Sequence, residues 1–394
     1  METFTGNFTQ QEPIPEDAID AAVAELRSGR LHRYNVAEGE LGQAALLERE
    51  YAAWQGSKYC LAVASGGQAM QIALRAAGVR PGDEVLTNAF TLAPVPGAIA
   101  AVGAAPKLVE VDEDLRIDLD DLAAKAAGAK VLLLSLMRGH VPDMDRILSI
   151  LDRHGVTLIE DCAHTMGARW RGQRSGSFGL AGCFSTQTYK HMNSGEGGLL
   201  TSDDAGFMAR ATVMSGSYML YPRHGAGPDE AHYADARLDS PNMSARMDNL
   251  RAAILRPQLA HLDANIERWN ARYEAVAAEL ARVQAIRLPQ RPEEEDMVGS
   301  SIQFRLPGLG AEGAAAFVAA NAARGVELKW FGAPAPAGFT SNHRSWRYAP
   351  SQDLPETDRI LADLFDMRLP LTFSVEDCAL IGRIIADEAG RIAV

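Results

Sequence analysis

The sequence predicts an α/β protein: a mostly parallel sheet covered by helices on both faces, followed by a smaller C-terminal α/β section. Three observations lead there. From Tyr59 to Asp161 short apolar runs alternate with helical segments, as a parallel sheet requires, because each return to the same end needs a crossover. After about Asp203 this alternation gives way to a long helical stretch and then to a second, shorter α/β section. A chain of 394 residues, 47% hydrophobic and 23% charged, can bury a large core and divide into two domains.

The elements follow in order. "YCLAVAS" (59–65) reads as a strand and "GQAMQIALRAAGV" as the helix after it. "PGDEVLTNAF" supplies a turn and a second strand, "PVPGAIAAVGA" a helix opened by proline, and "PKLVEV" a third strand. "DLDDLAAKAAG" is helical, and "KVLLLSLM" is an apolar run of the buried-strand type. "DMDRILSILDRHG" is a helix with acidic residues early and Arg-His-Gly at its end, and "VTLIED" is a strand that ends on two carboxylates. Downstream, "SARMDNLRAAILRPQLAHLDANIERWNARYEAVAAELARV" is strongly helical, "SIQFRLP" (301–307) is a strand, and "SVEDCALIGRIIADEAGRI" is a closing helix. The expected domains are residues 1–260, with the N-terminal segment included, and 261–394, and "RPEEEDMVGS" (291–300) is the best linker candidate.

Bulk properties exclude several function classes. The net charge of −13 is spread along the chain without a basic block, which argues against a nucleic-acid partner. No run of about 18 apolar residues and no basic-then-apolar start is visible, so neither a membrane span nor a secretory signal is expected. The four cysteines are scattered without a CxxC pair and read as buried thiols of a cytoplasmic protein, with no metal site.

In a parallel sheet, chemistry gathers at the carboxyl ends of the strands, which makes Ser65, Phe90, Asp161 and Ser185 candidates for one rim. Lys190 follows in "FSTQTYKHMNSGEGG" (184–198), between a hydroxyl-rich strand end and a glycine turn. A lysine acts as a covalent catalyst by forming a Schiff base, most commonly with pyridoxal phosphate. That cofactor needs a carboxylate for its ring nitrogen, donors for its phosphate and a face for its ring. Asp161 can meet the first need, and Ser185 with the glycine turn "SGGQAM" (65–70) can meet the second. Singly, each residue has a bland reading: Lys190 as a surface lysine, Asp161 as a cap or ion-pair partner, His164 as a core histidine.

Together, "EDCAHTMGA" (160–168) and "FSTQTYKHMNSGEGG" resemble the DegT/DnrJ/EryC1/StrS family of pyridoxal-phosphate aminotransferases. "LRSGRL", "RPGDEVLTNAFT", "DMDRI", "SARMDNLRAAI" and "RLPL" fall in the family's order along nearly the whole chain. The resemblance implies a fold type I aminotransferase with a seven-stranded central sheet, working as a homodimer with shared active sites. It implies Lys190 as the Schiff-base lysine and proton shuttle, Asp161 on the pyridinium nitrogen and His164 near the phenolic oxygen. Ser185 and the backbone of Gly66, Gly67 and Gln68 would hold the phosphate. An amino donor, glutamate or glutamine, and a keto acceptor, a keto sugar or related polyhydroxylated ketone, would react in turn in a ping-pong cycle.

The chain departs from the family pattern at several places. Gly67 stands where a threonine is usual, with Gln68 as a substitute for its contact. Leu92 follows Thr91 where an aromatic ring normally stacks on the cofactor, so either Leu92 packs there or Phe90 takes over. Ser244 replaces the asparagine that reaches the neighbouring subunit's phosphate, and Arg138 is inserted in "SLMRGH". Arg138, Arg246 and "GSYMLYPRH" (216–224) are candidate pocket residues, with structural ion pairing as the alternative for the arginines. Competing readings are a pyridoxal-phosphate lyase or dehydratase, and a scaffold or sensor that has lost catalysis. "GLGAEG" (308–313) has the outline of a dinucleotide fingerprint but stands alone and reads as a strand–helix turn.

Overall fold

The computed structural model describes residues 2–37 and 39–392. Each apolar run between Tyr59 and Asp161 is a strand: Tyr59–Val63, Glu84–Asn88, Ala105–Val109, Val131–Ser135 and Thr157–Asp161. Their side chains alternate between two cores. Leu61, Val63, Val85, Leu133 and Ile159 enter the core on one face. Ala62, Leu86, Leu132, Leu134 and Leu158 enter the other. Burial on both faces explains why these strands read as nearly continuous apolar runs, without a polar face. The intervening helices carry the expected stops. Met144–His154, for example, starts where Asp143 Oδ1 accepts from the Arg146 amide at 3.0 Å and ends at Gly155 with φ 65°.

Seven strands form the central sheet, in the order Tyr59–Val63, Gly198–Ser202, Ala181–Ser185, Thr157–Asp161, Val131–Ser135, Glu84–Asn88 and Ala105–Val109. Gly198–Ser202 is antiparallel to both of its neighbours, and the other adjacent pairs are parallel. This reversal is what brings Lys190 to the site. The chain leaves the rim at Ser185, loops through residues 186–197 and re-enters at Gly198, which is paired with both Ser185 and Val63. A side chain at Gly198 would strike the Ser65 backbone, so glycine is required there.

A second, three-stranded sheet runs Ser301–Arg305, Leu364–Arg368, Lys329–Trp330, all antiparallel. One face is apolar: Ile302, Phe304, Phe365 and Met367 pack with the helices Gly310–Ala323 and Val375–Ile392. The other face is polar, with Ser301, Gln303, Asp366 and Arg368 on it by the period-two rule. The turn at Gly308 and Gly310, both at positive φ, joins the strand to the helix Gly310–Ala323 in this antiparallel setting. A dinucleotide fingerprint belongs to a parallel strand–helix–strand unit, so this is a structural turn.

The structure differs from the sequence reading in two connections. The segment expected as a linker is pinned: Glu295–Asp296 pairs with Arg169–Trp170, and the Glu295 carboxylate accepts from the Val141 amide at 3.1 Å and from Arg291 at 2.8 Å. Phe4 and Phe8, placed with the large domain by chain order, pack instead in the core of the C-terminal section. Their rings lie 4.8 and 4.9 Å from that of Phe373. Burial of two aromatic rings outweighs proximity in sequence. The helix Asn249–Leu280 runs through the expected division at 260/261. Among the described residues, no helix is long and apolar enough to cross a membrane, and no group of metal-ligating side chains is present. All four cysteines are buried and unpaired.

Candidate active site

The strand Thr157–Asp161 sends its two terminal carboxylates in opposite directions, as successive strand residues must. Glu160 turns into the structure, where it accepts from the amides of Gly176, Phe178 and Gly179 at 2.7, 2.8 and 3.1 Å. Asp161 turns to the rim. Its Oδ2 accepts from Ser135 Oγ at 3.3 Å and its Oδ1 from the Ala163 amide at 3.2 Å. Ser135 ends the neighbouring strand and receives a hydrogen bond from Thr91 Oγ1 at 2.7 Å. Burial pushes Asp161 up from the usual carboxylate range, and the Lys190 charge opposes that shift.

The Lys190 amine lies 2.8 Å from His164 Nε2. Burial, followed by the positive charge of Arg138, lowers the lysine to about 7, while Asp161 resists the change. His164 is held well below the usual histidine range by burial and by Lys190, so its ring is neutral and can accept from the amine. A lysine near neutrality spends a large fraction of its time as a free nucleophile, which an exposed lysine does not.

The phosphate-binding candidates also converge. The helix Gly66–Ala76 begins at Ser65, whose Oγ accepts from the Gln68 amide at 3.1 Å. Gly66 lies so close to Ser185 that an added Cβ would come 2.9 Å from the serine Cβ. The first turn of this helix and the Ser185 hydroxyl therefore face one small space, with unpaired helical amides nearby. Gln68 Oε1 is buried without a hydrogen-bond partner, and a Cβ at Gly67 would meet nothing nearer than Ser65 Oγ at 3.7 Å. Gln68 Oε1 is an acceptor and could not itself meet a phosphate, whereas the open backbone approach at Gly67, beside the first amides of the helix, is what a phosphate cradle would show. With Asp161, His164 and Lys190 beside it, the donor set fits pyridoxal phosphate.

Phe90 is not part of this arrangement. The strand ends at Asn88, whose side-chain amide donates to the Phe90 and Ser135 carbonyls at 2.9 and 3.1 Å and turns the chain. Phe90 is fully buried edge-on against Phe331, with ring centres 5.1 Å apart, and has no face left for a cofactor. The half-buried Leu92 packs at the margin of the same cluster. Ser244 is exposed, with φ 51° and its amide bonded to Asn242 Oδ1 at 2.8 Å. Its hydrogen bonds among the described residues go to Asn242 and to none of the other candidates.

Arg138 is buried and paired with Asp366 at 2.6 Å, which joins the rim to the polar face of the small sheet. Arg246 donates to the Gly216 carbonyl at 2.7 Å and lies 5.5 Å from the Tyr218 ring centre. In the segment 216–224, Tyr218 and Met219 are 57% and 62% exposed, an unusual display of apolar surface. Sequence reasoning passed over Lys329 and Arg368. Both charges act on Lys190, and Arg368 lies 3.8 Å over the ring of Tyr189, its neighbour in the chain. A groove lined by Glu50, Trp54 and Arg256 contains none of these residues.

Comparison with known proteins adds independent findings. The model of the DegT/DnrJ/EryC1/StrS aminotransferase family matches residues 17–385. A 3-amino-5-hydroxybenzoate synthase of Amycolatopsis mediterranei is 32% identical over 363 residues, which cover 87% of this chain and 89% of that one. A dTDP-3-amino-3,4,6-trideoxy-alpha-D-glucose transaminase of Streptomyces venezuelae is 34% identical over 288 residues, covering 71% and 69%. A crystal structure of 3-amino-5-hydroxybenzoic acid synthase superposes with a TM-score of 0.83 at 27% identity, with 99% of each chain covered.

Proposed function

The chain belongs to the DegT/DnrJ/EryC1/StrS aminotransferase family and is an aminotransferase, and from that premise we propose that it works with pyridoxal phosphate held at Lys190. The observation that carries the reading is the Lys190 amine, brought to about 7 and set 2.8 Å from His164, with the Asp161 carboxylate alongside. When bound, the cofactor supplies an electron sink that stabilises negative charge at the substrate carbon.

The residues of the chain do the rest. Lys190 would hold the cofactor through its amine and, as a free amine, would accept or deliver the proton at the substrate carbon. Asp161, oriented by Ser135, keeps the ring nitrogen protonated. His164, neutral, hydrogen-bonds at the phenolic oxygen. Ser185 and the amides of Gly66 and Gly67 would take the phosphate, Gln68 could add a bond only through its Nε2, and Leu92, since Phe90 is buried, would be the candidate to cover the ring. Retention of both Lys190 and Asp161 favours transamination over a dehydratase or a scaffold.

Glutamate or glutamine serves as donor in this reading, and a keto sugar or related cyclic polyhydroxylated ketone as acceptor, in two ping-pong half-reactions. The named relatives support that class, since their products are an amino sugar and an amino-substituted ring. Exposed Tyr218 and Met219, with Ser244 and Arg246 near them in the fold, support a homodimer that completes each site across the interface. The enzyme is cytoplasmic in this reading, where its four thiols stay reduced. We propose the domain division at 260/261, with Phe4 and Phe8 added to the smaller domain.

The test is the visible absorption spectrum of the purified protein before and after L-glutamate. A yellow band that bleaches supports the reading. A protein that takes up no pyridoxal phosphate on reconstitution overturns it.

A further inference from the structure

The polar face of the small sheet carries more positive charge than it neutralises. Asp366 is fully buried, paired with Arg138 at 2.6 Å and accepting from Gln303 Nε2 at 2.8 Å, so both of its oxygens are engaged. Opposite Asp366 in the strand register stands Lys329, and two residues along the same face stands Arg368. The Lys329 ammonium has no ion pair or hydrogen bond among the described residues. Arg368 has no ion pair there either, and its guanidinium rests on the Tyr189 ring with a long 3.5 Å contact to the Phe8 carbonyl. Both are half-buried.

Three cations thus gather round one carboxylate that is already committed. The other negative group acting on Lys329 is Glu327, which is exposed. Burial lowers Lys329 to about 8, so it stays largely charged at neutral pH, and Arg368 is cationic throughout. Half-buried cations without partners cost free energy that a bound anion would recover. The cofactor's phosphate has its own receptor. Gly66 follows, and Ser185 ends, strands on one side of Asp161 in the sheet order, whereas Arg138 follows the strand on the other side.

Building on the proposed transaminase activity, we propose that Lys329 and Arg368 form a carboxylate-binding pair near Lys190, so that among the proposed ketone acceptors one that carries a carboxylate is preferred. Donor and acceptor occupy one cleft in turn, so the same pair can also receive a carboxylate of glutamate. Lys329 offers a point charge at the end of a flexible stem, and Arg368 offers a planar fork fixed by its ring contact.

Calorimetric titration of the holoenzyme with 3-oxocyclohexane-1-carboxylate and with its methyl ester tests this, because the two differ in charge and little in shape. The acid should bind about 30-fold more tightly than the ester. Lys329→Met/Arg368→Gln should remove most of that preference and leave the ester's affinity unchanged. Equal binding of acid and ester by the wild type, or a preference that survives in the double variant, would overturn the proposal. The wild-type comparison does not depend on the variant's folding. Bleaching by L-glutamate separates the sources: a raised KM in that half-reaction, alongside the lost acid preference, shows that the pair serves both substrates. If the wild type bound the acid preferentially yet bleached with neither L-glutamate nor L-glutamine, the proposed donor half-reaction would fail while the carboxylate pair stood.

Discussion

Lys190 is valuable because of what surrounds it, and its neighbours predict how it titrates. With its pKa brought down to about 7, the free amine dominates above that value and the ammonium below it. The rate at which the apoenzyme captures pyridoxal phosphate should therefore rise with pH through about 7 and then level off, as stopped-flow absorbance can show. A capture rate still climbing through pH 9 would mean an unshifted lysine. Lys190→Ala should lower transamination at least ~10⁴-fold, since nothing nearby can replace both the amine and the proton carrier. Asp161→Asn should cost roughly 10²–10³-fold, because a neutral amide cannot hold the ring nitrogen's proton. Gly67→Thr tests the cradle from the other direction. Its Cβ has room beside Ser65 Oγ, and the added hydroxyl should tighten cofactor retention about tenfold in equilibrium dialysis. Lys190 and Asp161 were legible in the sequence because motif spacing reports them directly. The orientation of Phe90 was not, since it depends on Asn88 bonding to Ser135, 47 residues away.

Elements show why some connections could be read and others could not. The parallel strands were visible because burial on both faces leaves a mark in composition that needs no knowledge of partners. The polar face of the small sheet was hidden, because Lys329 meets Asp366 only through a two-residue strand paired in one particular register. The 291–300 segment looked like a linker because its acidic residues are normally solvated. Glu295 is instead buried, held by Arg291 and within 3.6 Å of Arg116. Another acid acts as an internal latch: Glu160 gathers the loop at 176–179 under the strand that carries Asp161. Glu160→Gln would replace an accepting oxygen with a donor that faces amides, at a cost of about 2–3 kcal/mol. Urea unfolding should show this as a lower midpoint at constant slope. An unchanged midpoint would mean that the loop holds without its latch.

At the scale of the whole molecule, the proposed dimer accounts for surface that one chain leaves uncovered. Sedimentation should give twice the mass of one chain, and Met219→Asp should shift the equilibrium to monomer with loss of activity, because a charge would have to enter the interface. A Met219→Asp protein that remained a fully active dimer would place the interface elsewhere.

The seating of Phe4 and Phe8 against Phe373 bears on how the protein is made. The first aromatic residues of the chain have no core to enter until residues near the far end have been translated. While the ribosome completes the large sheet, this segment must remain tethered and solvated, a hydrophobic lead without a berth. Assembly of this part of the smaller domain's core therefore follows synthesis of the Phe373 segment. A chain without the Phe373 segment would leave both rings without that packing.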